Sequence, residues 1–387
     1  MSEDSTETDS GAGAAVTRES KDPTERQEIR FRRRGPLAEI ILTREKALNA
    51  LSLDMIQQSD DYLRAWAQNP AVQVVAVYGA GEKAFCAGGD VRAVWESHKA
   101  GGELPRTYFR HEYTLNRRVR TFPKPYLALI DGATMGGGVG ISVHGTYRIA
   151  GDNTVVAMPE TGIGFIPDVG TTHVLARLPG QIGMYMALTG ARLGPADAVH
   201  AGLATHYVPS AEVLRIPDAL VAVSTESDMT AAIDRVLAEK AADPGPAPIA
   251  EQRDKIDACF AGDSVEAIMA ALERDGSDWA KDTLATLNRM SPTSMKLTHA
   301  ALRRAEAMAF DDCLKMEYRL SQACMAGHDF HEGIRAVLVD KDKSPQWSPA
   351  RLVDVDHQIV QKAFELLGEN DLVFDDADPE TGADPVA

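Results

Sequence analysis

Residues 126–140 read YLALIDGATMGGGVG. The first five residues are an almost continuous apolar run, which predicts a strand over 126–130 buried on both faces. Residues 135–140 (MGGGVG) follow, and a helix is predicted over 137–144. The same grammar occurs upstream, where an apolar run at 72–78 predicts a second buried strand and residues 85–90 (FCAGGD) follow it. Glycine at such a junction lets a ligand approach the backbone with no Cβ in the way. N–H groups at the start of a helix are unsatisfied and carry partial positive charge. One such group from each loop would form a hole for an anionic oxygen. The alternative reading is two tight turns into helices, with Asp90 initiating one helix and the glycines serving packing. Neither loop matches the dinucleotide fingerprint G-x-G-x-x-G, and no G-x-x-x-x-G-K-[ST] occurs, which disfavours nicotinamide and nucleotide-triphosphate enzymes.

Working outward, residues 39–42 predict a further buried strand, and residues 53–67 and 108–121 predict helices. After about residue 190 the strand signal fades. Residues 241–248 (AADPGPAP) are the best candidate linker. Beyond them helices are predicted over 264–274, 277–289, 294–307, 311–326 and 330–339, the last with an apolar stripe at Ile334, Val337 and Leu338. No internal repeat is evident. The organisation is therefore an acidic disordered tail over 1–24, an α/β core over 25–240, a helical region over 241–374 and a second acidic tail over 375–387.

An apolar fraction of 44% and a charged fraction of 25% in 387 residues are globular values. The formal net charge of −17 argues against nucleic-acid binding, which needs a cationic surface. It leaves room for a phosphate-bearing ligand held by a few local cations or a helix N-terminus. The four cysteines, Cys86, Cys259, Cys313 and Cys324, form no CxxC pair and no metal-ligand spacing, so reduced thiols in a cytoplasmic protein are expected. No apolar run is long enough to span a bilayer, and the acidic N-terminus resembles neither a secretory signal nor an Arg-rich transit peptide.

Residues 157–170 (AMPETGIGFIPDVG) place Glu160 and Asp168 in one Gly/Pro-punctuated, otherwise apolar loop. Buried together near an anion hole, two carboxyls could position and deprotonate water. The alternative is a solvated turn for Glu160 and a cap on a helix beginning near Val169 for Asp168. Glu112, alone on an amphipathic helix, reads first as a solvent-facing charge. Ser142 and His144 miss the G-x-S-x-G elbow by one residue and face different ways on a helix. His328 and His331 lack a third ligand and an HExxH pattern, which favours a helix-start role over a metal. Met316 and Met325 read as core.

FCAGGD followed one strand later by DGATMGGGVG, with MPETGIGFIPDVG behind them, resembles the crotonase superfamily, and within it the 3-hydroxyisobutyryl-CoA hydrolase branch. Residues 188–193 (LTGARL), 201–206 (AGLATH), 316–341 and 344–347 (SPQW) extend the likeness to about 28–374. The resemblance implies a ClpP/crotonase-like spiral of ββα units. It also implies that the backbone N–H groups of Gly89 and Gly137 hold the thioester oxygen and that residues 44–51 (REKALNAL) form a coenzyme A-binding turn. Glu160 falls on the catalytic glutamate shared with hydratases, Asp168 on the aspartate of the hydrolases, and Glu112 on a substrate-contacting glutamate. Hydratases carry a second catalytic glutamate where this chain has Gly140, and usually glycine where it has Asp168. The expected activity is therefore hydrolysis of a short-chain hydroxyacyl-CoA thioester, with no metal and no separate cofactor, since coenzyme A is part of the substrate. No nucleic acid or membrane partner is expected. The resemblance leaves a homo-oligomer open: superfamily members commonly form trimers, but the long helical C-terminal part could cover that surface. Two rival expectations are a lyase with a relocated second acid and a non-catalytic acyl-CoA-binding protein.

Overall fold

The computed structural model describes residues 27–223 and 228–374, so the tails expected over 1–24 and 375–387 lie outside the described residues. The chain opens with an antiparallel pair, β1 (Ile29–Arg34) and β2 (Leu37–Leu42). Every residue of β2 is buried, Glu39 included. That acid is tolerated because Arg32 and Arg34 of β1 donate to its carboxylate at 2.8 Å, joined by the Tyr78 hydroxyl at 2.9 Å.

Next come β3 (Val74–Gly79), β4 (Ala84–Cys86), β5 (Tyr126–Leu129), β6 (Ala133–Met135), β7 (Tyr147–Ala150), β8 (Val155–Ala157) and β9 (His206–Tyr207). They sort into two sheets, one ordered β1-β2-β3-β5-β7-β9 and the other β4-β6-β8, with every pair after the first parallel. β3, β5 and β7 of the first sheet each run into a short strand of the second, β4, β6 and β8, and a helix or helical turn follows each. This is the expected spiral of ββα units. The sequence reading placed the two glycine loops directly after β3 and β5; in fact β4 and β6 intervene and carry the loops into the second sheet. Three-residue strands are too short for a period to register. The two-residue β9, past the point where the strand signal fades, is missed for the same reason.

The helices of the spiral are α1 (Leu53–Gln68), α2 (Val91–Lys99), α3 (Leu104–Arg120), α4 (Gly137–Gly140) and α5 (Thr171–Leu175). α1 starts where the Ser52 hydroxyl accepts the N–H of Met55 at 3.3 Å, which satisfies a donor that has no intrahelical partner. α4 stops at Gly140, four residues before the end predicted from the apolar run. The buried tract that follows is a non-helical turn.

The chain from residue 248 to 362 is dominated by helices. Helices Val265–Asp275, Asp278–Leu287 and Pro292–Ala305 are each capped by a serine, Ser264, Ser277 and Ser291. Phe310–Ala326 and Asp329–Ile334 follow, and the latter continues through Arg335–Val339 as a wider π-type turn. Met316 and Met325 are buried, as core residues should be. One apolar core runs without interruption from β1 to helix His357–Lys362. A second apolar cluster fills the other face of the large sheet beneath helices Ile216–Ala222 and Met229–Lys240. Helix Asp329–Ile334 lies directly on the loop after β8. A Cβ at Gly164 would stand 2.2 Å from the Asp329 backbone, and one at Gly333 would stand 2.4 Å from Ile163. The C-terminal helices therefore wall the segment that carries Glu160 and Asp168.

Candidate active site

The first glycine loop is braced by residues 44–51. Leu51 pairs beside Gly89, with the Leu51 N–H donating to Gly88 O at 2.9 Å and the Asp90 N–H to Leu51 O at 2.8 Å. Arg44 donates to Ala50 O and to the Asp90 carboxylate, at 2.8 and 2.9 Å. The Asn49 amide anchors the turn on the carbonyls of Ala80 and Ala84, at 3.0 and 2.9 Å. Asp90 accepts the Ala93 N–H at 3.1 Å and so initiates α2.

Gly137 opens α4 and meets this loop. A Cβ at Gly137 would lie 3.2 Å from the Gly89 nitrogen. Among the described residues neither the Gly89 nor the Gly137 N–H donates to a backbone carbonyl. Two unengaged donors side by side are the makings of an oxyanion hole.

Three carboxyls close around them. Glu112, on α3, is buried, and its Oε1 stands 2.6 Å from the place of a Gly137 Cβ. Glu160 is buried at the head of the turn Glu160–Ile163, and its Oε1 stands 3.0 Å from the place of a Gly136 Cβ. Asp168 is buried too, and its Oδ2 accepts the Tyr113 hydroxyl at 2.7 Å. Oε1 of Glu112 and Oε2 of Glu160 are buried without a protein partner. Buried carboxyl oxygens of this kind carry a desolvation cost that a bound polar group relieves.

The electrostatics follow from this crowding. Burial pushes Glu112 well above the usual carboxylate range, and the charges of Asp168 and Glu160 add to it. Burial and the charge of Asp168 do the same to Glu160. Burial raises Asp168 to about 7, against the lowering effect of the Tyr113 hydrogen bond. Acids whose proton affinity is moved toward neutrality can take up and release protons near pH 7. The alternatives drawn from the sequence are not observed: Glu112 and Glu160 are not solvated, and Asp168 caps nothing with its side chain.

Position 140 has no space for a side chain. A Cβ there would stand 2.6 Å from Val169 Cβ and 2.7 Å from Asn116 Nδ2. Asn116 lies one helical turn after Glu112 on α3, fully buried, with neither amide atom partnered. Sequence reasoning passed over Asn116 and Tyr113, although the spacing of Glu112, Tyr113 and Asn116 puts three polar groups together in the middle of a largely buried helix. It also passed over Glu317. This residue is fully buried on helix Phe310–Ala326 and raised by burial to about 8. Its Oε2 accepts the Gly170 N–H at 2.6 Å, and its Oε1 accepts the Thr172 N–H at 2.9 Å and the Thr172 hydroxyl at 2.6 Å. The available signal was its place in the apolar stripe Cys313, Glu317, Leu320, Cys324.

The remaining candidates do not assemble. Ser142 donates to Gly138 O at 2.8 Å, while Nε2 of His144 contacts Val169 O at 2.7 Å, so the two side chains serve separate backbone groups. His328 contacts Asp329 at the start of its helix, and His331 bonds Met325 O and stacks on His98. Among the described residues no three His, Cys, Asp or Glu side chains converge as a metal site would require.

Residues 37–364 match the family described as Enoyl-CoA hydratase/isomerase. The chain is 46% identical, over 91% of its length and 92% of the relative's, to a protein of Rattus norvegicus named 3-hydroxyisobutyryl-CoA hydrolase, mitochondrial. Two solved structures superpose closely. A carnitinyl-CoA dehydratase from Mycobacterium thermoresistibile has a TM-score of 0.85 and 39% identity, and covers 91% of this chain and 100% of its own. An enoyl-CoA hydratase from Rhodobacter sphaeroides 2.4.1 has a TM-score of 0.83 and 37% identity, and covers 90% of this chain and 100% of its own.

Proposed function

Since this chain belongs to the enoyl-CoA hydratase/isomerase family, we propose that it is a thioester hydrolase of short-chain hydroxyacyl-CoA, cleaving 3-hydroxyisobutyryl-CoA to 3-hydroxyisobutyrate and coenzyme A. Near-full-length similarity to proteins named for that hydrolysis supports the substrate class. One feature of the site supports hydrolysis over hydration. Hydration by this fold uses a second carboxylate at position 140, and here Val169 and Asn116 occupy the space such a side chain would need.

In the proposed route the thioester oxygen sits between the N–H groups of Gly89 and Gly137. Negative charge grows on it as the carbonyl carbon is attacked, and the two donors stabilise that charge. One such donor is worth about 3 kcal/mol of barrier. Glu160 takes a proton from the attacking water, or attacks the carbonyl itself to give a mixed anhydride that water then opens. On the first path water bonds to the carbonyl carbon, the C–S bond breaks, and the proton taken up by Glu160 passes to the departing thiolate. On the second the C–S bond breaks as the Glu160 oxygen bonds to that carbon; water then opens the anhydride, giving the product acid and the free Glu160 carboxyl, and the proton released neutralises the thiolate. What supports Glu160 in this role is its raised proton affinity, its unpartnered Oε2, and the placement of its Oε1 beside Gly136. Asp168, held by Tyr113, orients the water or accepts the hydroxyl of the acyl group, and Glu112 lines the acyl pocket. A buried polar partner for that hydroxyl gives selectivity for hydroxyacyl over plain acyl chains. The coenzyme A thiolate is a good leaving group, so the route calls on no metal or redox cofactor.

The same proposal puts the reaction in valine breakdown and the protein in the cytoplasm. The rat relative's name assigns that protein to mitochondria. Among the described residues no helix is long and apolar enough to cross a membrane. The test is free-thiol release from 3-hydroxyisobutyryl-CoA by purified protein, with crotonyl-CoA absorbance followed in parallel. Thiol release with unchanged crotonyl-CoA supports the hydrolase. Loss of enoyl absorbance without thiol would make the protein a lyase, and binding with neither would make it an acyl-CoA-binding protein.

A further inference from the structure

The hydrolytic route leaves Glu317 without a step, yet this carboxyl is bound to the backbone that carries Asp168. It comes from helix Phe310–Ala326, in the C-terminal part of the chain, and reaches the start of α5. There it takes up the N–H of Gly170, the N–H of Thr172 and the Thr172 hydroxyl. Those are the groups that a helix start leaves unsatisfied and that a side-chain cap ordinarily serves. The residues that precede them are conformationally costly. Val169 has φ 56° and Gly170 has φ 79°, so two consecutive residues are left-handed. For a β-branched residue such as Val169 this is an outlier that persists only where surrounding structure over-determines it.

Here the over-determination is visible. His144 Nε2 meets Val169 O at 2.7 Å, and Glu317 grips the N–H of Gly170 within the turn and that of Thr172 just beyond it. The turn leaves the backbone O of Asp168 to accept the Thr171 N–H and hydroxyl, at 2.9 and 2.6 Å, so that the Asp168 side chain is free to reach Tyr113. The ring of Tyr318, next to Glu317 in sequence, packs edge-on against Tyr113 with centroids 6.4 Å apart. Helix Phe310–Ala326 thus touches Asp168 by two paths, through its backbone and through its hydroxyl donor.

We propose that Glu317 is a positioning residue for Asp168. By holding the N–H groups of Gly170 and Thr172 it fixes the left-handed Val169–Gly170 turn that aims the Asp168 carboxyl into the site. This inference rests on the reading of Asp168 as a participant in thioester hydrolysis. It has a specific kinetic signature. Glu317 makes no hydrogen bond to the Gly89 or Gly137 loops or to residues 44–51, so coenzyme A binding is not its business. Displacement of a reacting group by about 1 Å costs up to 10²-fold in rate.

The experiment compares wild type, Glu317→Gln, Asp168→Asn and the double variant for thiol release from 3-hydroxyisobutyryl-CoA, with a thermal melt of each. Gln keeps an acceptor for Thr172 but turns an NH2 group on the Gly170 N–H. The expected result for Glu317→Gln is a kcat lowered roughly 10- to 100-fold with KM within about threefold of wild type. On the Asp168→Asn background the same change should cost little more, because residues acting as a unit are not additive. Wild-type kcat in folded Glu317→Gln overturns the proposal, as do losses that multiply in the double variant. If Asp168→Asn alone keeps full activity, the reading of Asp168 falls and the inference falls with it, a result distinct from either of those. Should Glu317→Gln fail to fold, Thr172→Val removes only the hydroxyl donor. A few-fold loss of kcat that vanishes on the Asp168→Asn background then supports the proposal, and wild-type kcat overturns it.

Discussion

Replacing Gly137 by alanine adds one methyl group at the point where the two glycine loops meet. Gly137 has an ordinary helical backbone, so the substitution brings no conformational strain of its own, and its effect is steric. The new Cβ would stand 2.6 Å from Glu112 Oε1, closer than real Cβ contacts, and 3.2 Å from the Gly89 nitrogen. The first contact is with the end of a side chain, which can swing aside, so the fold survives. The second is not relieved in this way. A hydrogen-bonded oxygen would sit about 2.9 Å from that nitrogen, and a methyl carbon at 3.2 Å excludes it. The variant therefore denies the substrate oxygen the Gly89 donor and displaces Glu112 from the acyl pocket. Loss of one oxyanion donor costs roughly 10²–10³ in kcat, or about 3–4 kcal/mol. The assay is thiol release at saturating 3-hydroxyisobutyryl-CoA, with circular dichroism and a melt to establish that the protein is folded. A folded Gly137→Ala protein with kcat within threefold of wild type would refute the pairing of Gly89 and Gly137 as the oxyanion hole.

Three further outcomes are expected. Glu160→Gln should lower kcat by about 10²–10⁴, the usual contribution of a positioned base, while coenzyme A binding measured by calorimetry persists; retained turnover would remove Glu160 from the mechanism. Gly140→Glu should not create a hydratase. The new side chain has no room against Val169 and Asn116, so crotonyl-CoA should stay unconsumed and stability should fall by about 1–3 kcal/mol in a urea melt; efficient hydration would show that the pocket reshapes freely. Stability should also decline with rising pH. Asp168 is raised from 3.8 to about 7 and Glu317 from 4.5 to about 8, so between those limits the folded protein holds protons that the unfolded chain has lost. Their contribution is fully present below about pH 4 and is lost as pH rises through 7 and 8. The melting temperature should therefore fall between pH 5 and 9, less steeply in Glu317→Gln; a flat or rising profile would contradict the penalty that burial places on the charged form of these acids.

Features that are local along the chain can be read from its residues alone. The buried strands at β3 and β5 are legible because a strand covered on both faces needs a continuous apolar run. The long C-terminal helices are legible from their apolar stripes, although the capping serine of the third, Ser291, lies three residues before its predicted start. The glycine loops and the Glu160–Asp168 segment can be read because their residues are close along the chain and their order resembles one family. The tertiary structure decided what depends on distant residues. Whether Glu112 and Glu160 are solvated or buried follows from helices packed over them, and their proton affinities follow from that burial. The absence of a side chain at position 140 is a letter in the sequence, but its cause is that Val169 and Asn116 fill the space. Glu317 is the clearest case. On its own helix it is one acid in an apolar stripe; only when the C-terminal helices close on the sheet does it meet the N–H groups of Gly170 and Thr172. A hydrogen bond between residues so far apart along the chain leaves no periodicity to read, because its partners are brought together by the packing of the whole core.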